Sequence, residues 1–265
     1  MSSSQNASDG ILQRAGRFLF RWRSFTPIPL LVAAVPLLWR SRGGGGPVWT
    51  VAGLAACLAG QALRAWVLGQ VPDGTSGQNE RLIATELNTS GPYARTRNPL
   101  YLGNFLITLG LCLAAHDALL LLLVALLFAV QYRAIVAAEE AFLRERFGPR
   151  FEEYRRGVPR FWPRLLDGSS AGAAATWSWR RALRKEHNPF AAWALLFVAL
   201  LASDQIVRAR AAGTPPSLHG YGVTVHVALL AAILVAWLCV KGWKHRWTQG
   251  GFTEDLRRRL RETAR

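Results

Sequence analysis

Long apolar runs constrain this chain more than any other feature: residues 100–115, 118–130, 189–202 and 223–240 are almost uninterrupted aliphatic and aromatic sequence. A backbone placed in hydrocarbon must satisfy its own hydrogen bonds, so such runs fold as helices. Crossing a core of roughly 30 Å takes about 20 mostly apolar residues. With their flanks, and with shorter apolar stretches nearer the start, the runs predict six spans at 26–40, 48–69, 100–115, 118–138, 189–207 and 221–240. The first carries Pro27, Pro29 and Pro36. The expected fold class is all-α: a polytopic membrane helical bundle with about six transmembrane spans and cytosolic amphipathic helices. Eleven Trp, many near the ends of the runs, suit the lipid–water interface.

The net charge of +16 would ordinarily point to nucleic acid or another polyanion. Its distribution says otherwise. With both termini on one side, 26 of the 32 Lys and Arg fall on that side, and only Arg40, Arg42, Arg208 and Arg210 fall on the other. That skew is the positive-inside pattern, and the surplus also attracts anionic lipid head groups. The expected location is the inner or plasma membrane of a bacterium, both termini cytoplasmic, with membrane lipid and no nucleic acid as partner. Cys57, Cys112 and Cys239 all lie in expected spans, which argues against a disulfide framework. No Cys/His spacing matches a zinc site, so no metal is expected.

Along the chain, residues 1–25 form a basic cytosolic segment and 26–165 a membrane core. Residues 166–188 read as a linker and interfacial segment, 189–241 as an additional transmembrane hairpin, and 242–265 as a basic tail. His116 and Asp117 alone join the third and fourth spans, which makes them a tight antiparallel hairpin. The fourth continues into a polar helix ending near Gly148-Pro149, and a short helix at 150–156 follows.

Polar residues cluster in two blocks at one end of that hairpin. The first is Gly91-Pro-Tyr-Ala-Arg-Thr-Arg-Asn-Pro-Leu-Tyr-Leu-Gly103. The second opens with Glu139-Glu140 and closes on Val-Pro-Arg-Phe-Trp-Pro at 158–163. Ionisable groups at a membrane boundary are costly, which makes them candidates for a site. Asn98-Pro99 has the form of a helix cap followed by proline at the first helical position, as does Asn188-Pro189. Arg95 and Arg97, flanked by Tyr93 and Tyr101, read either as topogenic charges that snorkel to head groups or as a clamp for an anionic, aromatic ligand. Arg133 and Glu140 are seven residues apart, on one helix face, and so are expected to point into the bundle together. Arg64, five residues from a span end, is explained by snorkelling. No nucleophile–base pair, phosphate loop or dinucleotide fingerprint stands out.

The series Gly91-Pro-Tyr-x-x-x-Arg97-Asn98-Pro99-x-Tyr101-x-Gly103, Glu139-Glu140-x-x-Leu143-x-x-x-Phe147-Gly148, Phe151-x-x-Tyr154 and Val158-Pro159-Arg160-Phe161-x-Pro163 resembles the isoprenylcysteine carboxyl methyltransferase and phospholipid methyltransferase superfamily. The resemblance covers about residues 80–165. It implies an integral membrane enzyme that moves a methyl group from S-adenosylmethionine to a lipophilic acceptor at the cytosolic face. Carried over by position, Tyr93, Arg97, Asn98, Pro99, Tyr101, Glu139 and Glu140 form the cofactor shell. Asn98 stands where the commoner family residue is His; it makes hydrogen bonds but carries no proton at neutral pH. The catalytic candidates are Arg95, Arg133 and Glu140: either arginine to sit beside a carboxylate acceptor, a glutamate to take the proton of an amine acceptor. Two other readings stay open. Membrane sterol reductases, which bind NADPH, resemble the same region but carry an acidic residue where this chain has Asn104. A non-catalytic membrane protein keeping a degenerate methyltransferase fold is the other.

Overall fold

The computed structural model describes residues 13–21, 46–71, 84, 86–164, 176–213 and 224–244. Among these the regular structure is entirely helical. In chain order the helices are α1 (13–21), α2 (Pro47–Gln70), α3 (Pro92–Arg95), α4 (Pro99–Ala114), α5 (Ala118–Phe147), α6 (Pro149–Gly157), α7 (Trp179–Ala211) and α8 (Thr224–Lys244). Helices α2, α5, α7 and α8 are long and apolar enough to cross a membrane. Leu122, Leu123, Leu126, Leu127 and Val130 of α5 and Val225, Val227, Leu229, Leu234, Val235 and Leu238 of α8 are all exposed. In water such bands would be unsupportable; against lipid they are the expected outer surface. The polytopic helical bundle is therefore borne out, and five of the six expected spans correspond to apolar helices. The expected span at 26–40 lies outside the described residues.

The third span is the 16-residue α4, within one residue of the expected 100–115; at about 24 Å it is short of a full hydrocarbon crossing. One boundary differs from expectation. The fifth does not open at Asn188-Pro189: α7 begins at Trp179, its Ser178 cap accepting from the Arg181 amide at 3.4 Å, and carries Pro189 inside it. Residues 179–188, expected as an interfacial segment, are thus the first turns of the same helix. Proline inside a spanning helix is tolerated where neighbouring groups take up the freed carbonyl. Asn188 instead accepts a hydrogen bond from Trp237 of α8 at 2.8 Å.

Packing follows from small residues. On α2 and α4, Gly53 faces Gly110 and Gly60 faces Gly103, two antiparallel pairs with the same seven-residue spacing. A Cβ on Gly53 or Gly60 would stand 2.5 Å from the facing glycine carbonyl. Backbone contact of this kind is how helices associate where lipid removes the hydrophobic drive. Helix α7 closes the bundle, burying Trp193, Ala194, Phe197 and Leu200 with Cys57, Ala114 and Leu120. The α4–α5 turn is the tight one expected. Its His116 adopts a positive φ of 55°, and Asp117 caps α5 by accepting from the Leu120 amide at 2.8 Å.

Candidate functional site

At the other end of the α4–α5 hairpin the two polar blocks are laced together through backbone. Thr96 is extended, and the 95–98 segment lies beside 159–164. The Arg97 amide donates to the Pro159 carbonyl at 2.9 Å, and the Arg164 amide to the Arg95 carbonyl at 3.1 Å. The buried Thr96 hydroxyl lies 3.0 Å from the Phe161 carbonyl and 3.3 Å from that of Arg160. Asn98 occupies the N-cap position of α4 but makes no side-chain cap bond. Its amide donates to the Arg160 carbonyl at 2.9 Å instead. The cap expectation is thus corrected: Asn98 is a clasp between the blocks, its side chain oriented by the bond from its NH2 group to the neighbouring segment and not by an amide of α4. Pro99, buried, starts the helix.

Helix α5 runs unbroken past the apolar region and delivers Glu139 and Glu140 to this end. Consecutive helical residues diverge by about 100°, so the two carboxylates serve different partners. Glu139 accepts from the Tyr101 hydroxyl at 2.7 Å. Glu140 is 7% exposed and faces two guanidiniums. Arg97 Nη1 lies 2.9 Å away, and Arg160 donates to it through Nε at 3.1 Å and also through Nη2. Gly148, at φ 52°, then turns the chain into α6. Phe151 buries itself beneath the site, and the Tyr154 hydroxyl donates to the Tyr93 carbonyl at 2.8 Å.

Two arginines share the one buried carboxylate of Glu140. Burial pushes the Arg97 guanidinium below its ordinary pKa, opposed by Glu140 and reinforced by Arg160. Arg97 Nε is buried without a hydrogen-bond partner among the described residues. Burial also pushes the Tyr154 phenol well above its ordinary value, which keeps it a hydrogen-bond donor. Anion recognition by an arginine with a spare donor, beside carboxylates suited to a cation, is the chemistry a zwitterionic ligand asks for.

The site residues expected from sequence divide accordingly. Arg97, Asn98, Glu140 and the buried Pro99 come together, with Tyr101 and Glu139 alongside and Tyr93 held by its carbonyl. Arg95 points elsewhere: it is exposed, its guanidinium 6.0 Å from the Trp66 ring centroid. Arg133 is exposed whereas Glu140, on the same helix face, is buried, so the two do not enter the bundle together.

Sequence reading missed Arg160, which stood in the Val-Pro-Arg-Phe-Trp-Pro block as pattern rather than as a site residue. It also missed a second polar cluster built on Arg64. That side chain does not snorkel outward; it is 14% exposed and pairs with Glu186 of α7 through Nε at 2.9 Å and Nη2 at 2.6 Å. Nη1 donates to Asn104, whose amide donates to the Tyr132 hydroxyl at 3.0 Å. Gln61 donates to Glu186 and accepts from the Trp193 indole, both at 2.8 Å. The available signal was Glu186, a single acid behind the run Arg180-Arg-Ala-Leu-Arg-Lys185.

Residues 48–150, from the start of α2 to the start of α6, match the family described as phospholipid methyltransferase. The resemblance read from the motifs is borne out by this match and by that to an isoprenylcysteine methyltransferase below. Among curated proteins the chain is similar to the nickel-cobalt-cadmium resistance protein NccN of Alcaligenes xylosoxydans xylosoxydans. Identity is 42% over 31% of this chain and 38% of that protein. It is 44% identical to the cobalt-zinc-cadmium resistance protein CzcN of Cupriavidus metallidurans over 30% of this chain and 36% of that one. It is 30% identical to the protein-S-isoprenylcysteine O-methyltransferase of Schizosaccharomyces pombe, over 42% of this chain and 48% of that enzyme. The matches thus span less than half the length of each relative. No solved structure matches. Among the described residues no group of three His, Cys, Asp or Glu side chains is placed to hold a metal ion.

Proposed function

We propose that the chain transfers a methyl group from S-adenosylmethionine to a lipophilic acceptor at the cytosolic membrane face. The observation that carries this reading is the Arg97–Glu140–Arg160 cluster beside Tyr101–Glu139, at the polar end of apolar helices in a region matching membrane methyltransferases. When bound, S-adenosylmethionine would supply a methyl on a sulfonium, activated for in-line attack by an oxygen or nitrogen lone pair of the acceptor, with S-adenosylhomocysteine as the leaving group. The protein's task is then to bind, align and exclude water. Arg97, with its unpaired Nε, would hold the carboxylate of the donor. Glu139 and Glu140 would supply negative charge to offset its ammonium and sulfonium. Tyr101 orients Glu139, and Asn98 with Thr96 fixes the 158–164 segment over the site. An amine acceptor would pass its proton to Glu139, the less enclosed of the two carboxylates. A carboxylate acceptor would rest against Arg160, the more exposed of the two arginines.

The reductase alternative lacks the acid expected after Tyr-x-Gly; there Asn104 is engaged by Arg64 and Tyr132. Titration of the purified chain with S-adenosylhomocysteine and with NADPH distinguishes the two. Binding of the homocysteine compound is expected, and Arg97→Ala should remove it while the protein still inserts. Binding of NADPH alone would end the methyltransferase reading.

A further inference from the structure

Helix α7 lies beyond the matched residues 48–150, yet it plants a buried carboxylate in the matched core. Glu186 is 4% exposed, and both its oxygens are in use: Oε1 takes Arg64 Nη2, while Oε2 takes Arg64 Nε and Gln61 Nε2. Arg64 thereby spends all three nitrogens on fixed partners, the third being Asn104. Asn104 in turn fixes the Tyr132 hydroxyl. Tyr132 is held on one side by stacking on Phe128, with centroids 4.0 Å apart, and on the other by edge contact with the Tyr101 ring at 4.6 Å. Tyr101 carries the hydrogen bond to Glu139. A continuous path of hydrogen bonds and one ring contact therefore links α7 to the carboxylate pair.

We infer that Glu186 is a positioning residue for the methyl-donor site, acting through Arg64, Asn104 and Tyr132 on the Tyr101–Glu139 pair. The inference rests on the reading of that site given above. A plain structural staple would need only charge against charge. Here each link constrains the next in direction: a planar guanidinium, an amide whose oxygen and nitrogen are both committed, and a phenol packed on two rings. The site is then incomplete without α7, and residues 48–150 alone do not define it.

The test compares wild type, Glu186→Gln and Glu186→Asp as full chains in lipid nanodiscs, by S-adenosylhomocysteine calorimetry well below the unfolding temperature. Gln sets an NH2 group against the donors of Arg64 and Gln61; Asp keeps the charge. We expect affinity to fall on the order of tenfold in Glu186→Gln, a usual size for coupling between sites, and to recover in part in Glu186→Asp. A staple would lower the unfolding temperature of both and leave affinity unchanged, and that result overturns the inference. Hydrogen exchange on the same samples separates this from the site reading. Should wild type bind no S-adenosylhomocysteine, that reading fails. Glu186→Gln must still speed exchange at 101–104 and 128–132 while sparing 149–157, and unchanged or uniformly faster exchange overturns the path itself.

Discussion

Replacing Glu140 by Gln strands two guanidiniums that now share one carboxylate. The side chain of Glu140 is 9% exposed and that of Arg97 12%, so their pair is buried; Arg160 is 39% exposed and screened by water. Removing one member of a buried pair costs about 3–5 kcal/mol, because the other charge stays desolvated and unmatched. The Arg160 share follows the exposed scale, about 0.2–1 kcal/mol. Gln keeps an acceptor oxygen, which places the expected loss near the lower figure, about 3 kcal/mol, nearly all of it from Arg97. At about 2–4 °C per kcal/mol for a protein of this class of size, unfolding should shift down by roughly 6–12 °C. The assay is thermal unfolding of detergent-solubilised protein, followed by tryptophan fluorescence. The decisive comparison is Glu140→Gln with Glu140→Gln/Arg97→Met. Removing the stranded charge should recover most of the loss. The reasoning is refuted by a shift under about 2 °C for Glu140→Gln, or by a double variant less stable than either single one.

Other outcomes follow from the same geometry. Gly60→Val should break the α2–α4 contact, since even its Cβ would stand 2.5 Å from the Gly103 carbonyl. Overpacking costs about 1–3 kcal/mol when neighbours yield, and backbone does not, so loss of the purified, monodisperse protein is expected on size exclusion. Asn98→Ala removes the bond to the Arg160 carbonyl and should cost about 1 kcal/mol; hydrogen exchange should rise at 158–164, and Asn98→His should restore much of the protection. Glu152 is held below the ordinary glutamate value of 4.5, first by its hydrogen bond from Arg144 and further by Arg155. Its contribution to the α5–α6 elbow is therefore complete above pH 4.5 and is lost as pH falls through its lowered folded value. Exchange at 144–157 should quicken over that acid range and lose the dependence in Glu152→Gln.

The helices were legible because hydrocarbon leaves the backbone no other choice, and runs such as 118–130 announce themselves by length. The candidate site was legible where polar residues lie close in sequence: the Arg97-Asn98 block and the Glu139-Glu140 block come together as their resemblance implied. What escaped depends on partners distant along the chain. Arg64 looks like a snorkelling residue until Glu186, 122 residues later, is seen beside it. Asn98 has a cap's sequence, but only the fold shows a carbonyl of residue 160 within its reach. Arg133 and Glu140 share a helix face, yet coverage by other segments decides burial, and periodicity carries no record of that. Pro189 reads as a helix start, whereas α7 begins at Trp179 and runs through it.

Methyl transfer into the lipid phase is the activity on which the proposed function stands. Bacterial cells expressing the chain, supplied with methyl-labelled methionine to label the donor pool, should yield a lipid-soluble product carrying the label by mass spectrometry. The product should vanish in cells expressing Arg97→Ala at equal membrane abundance. A lipid fraction with the same labelled species, in the same amounts, with wild type, with Arg97→Ala and without the chain would contradict it.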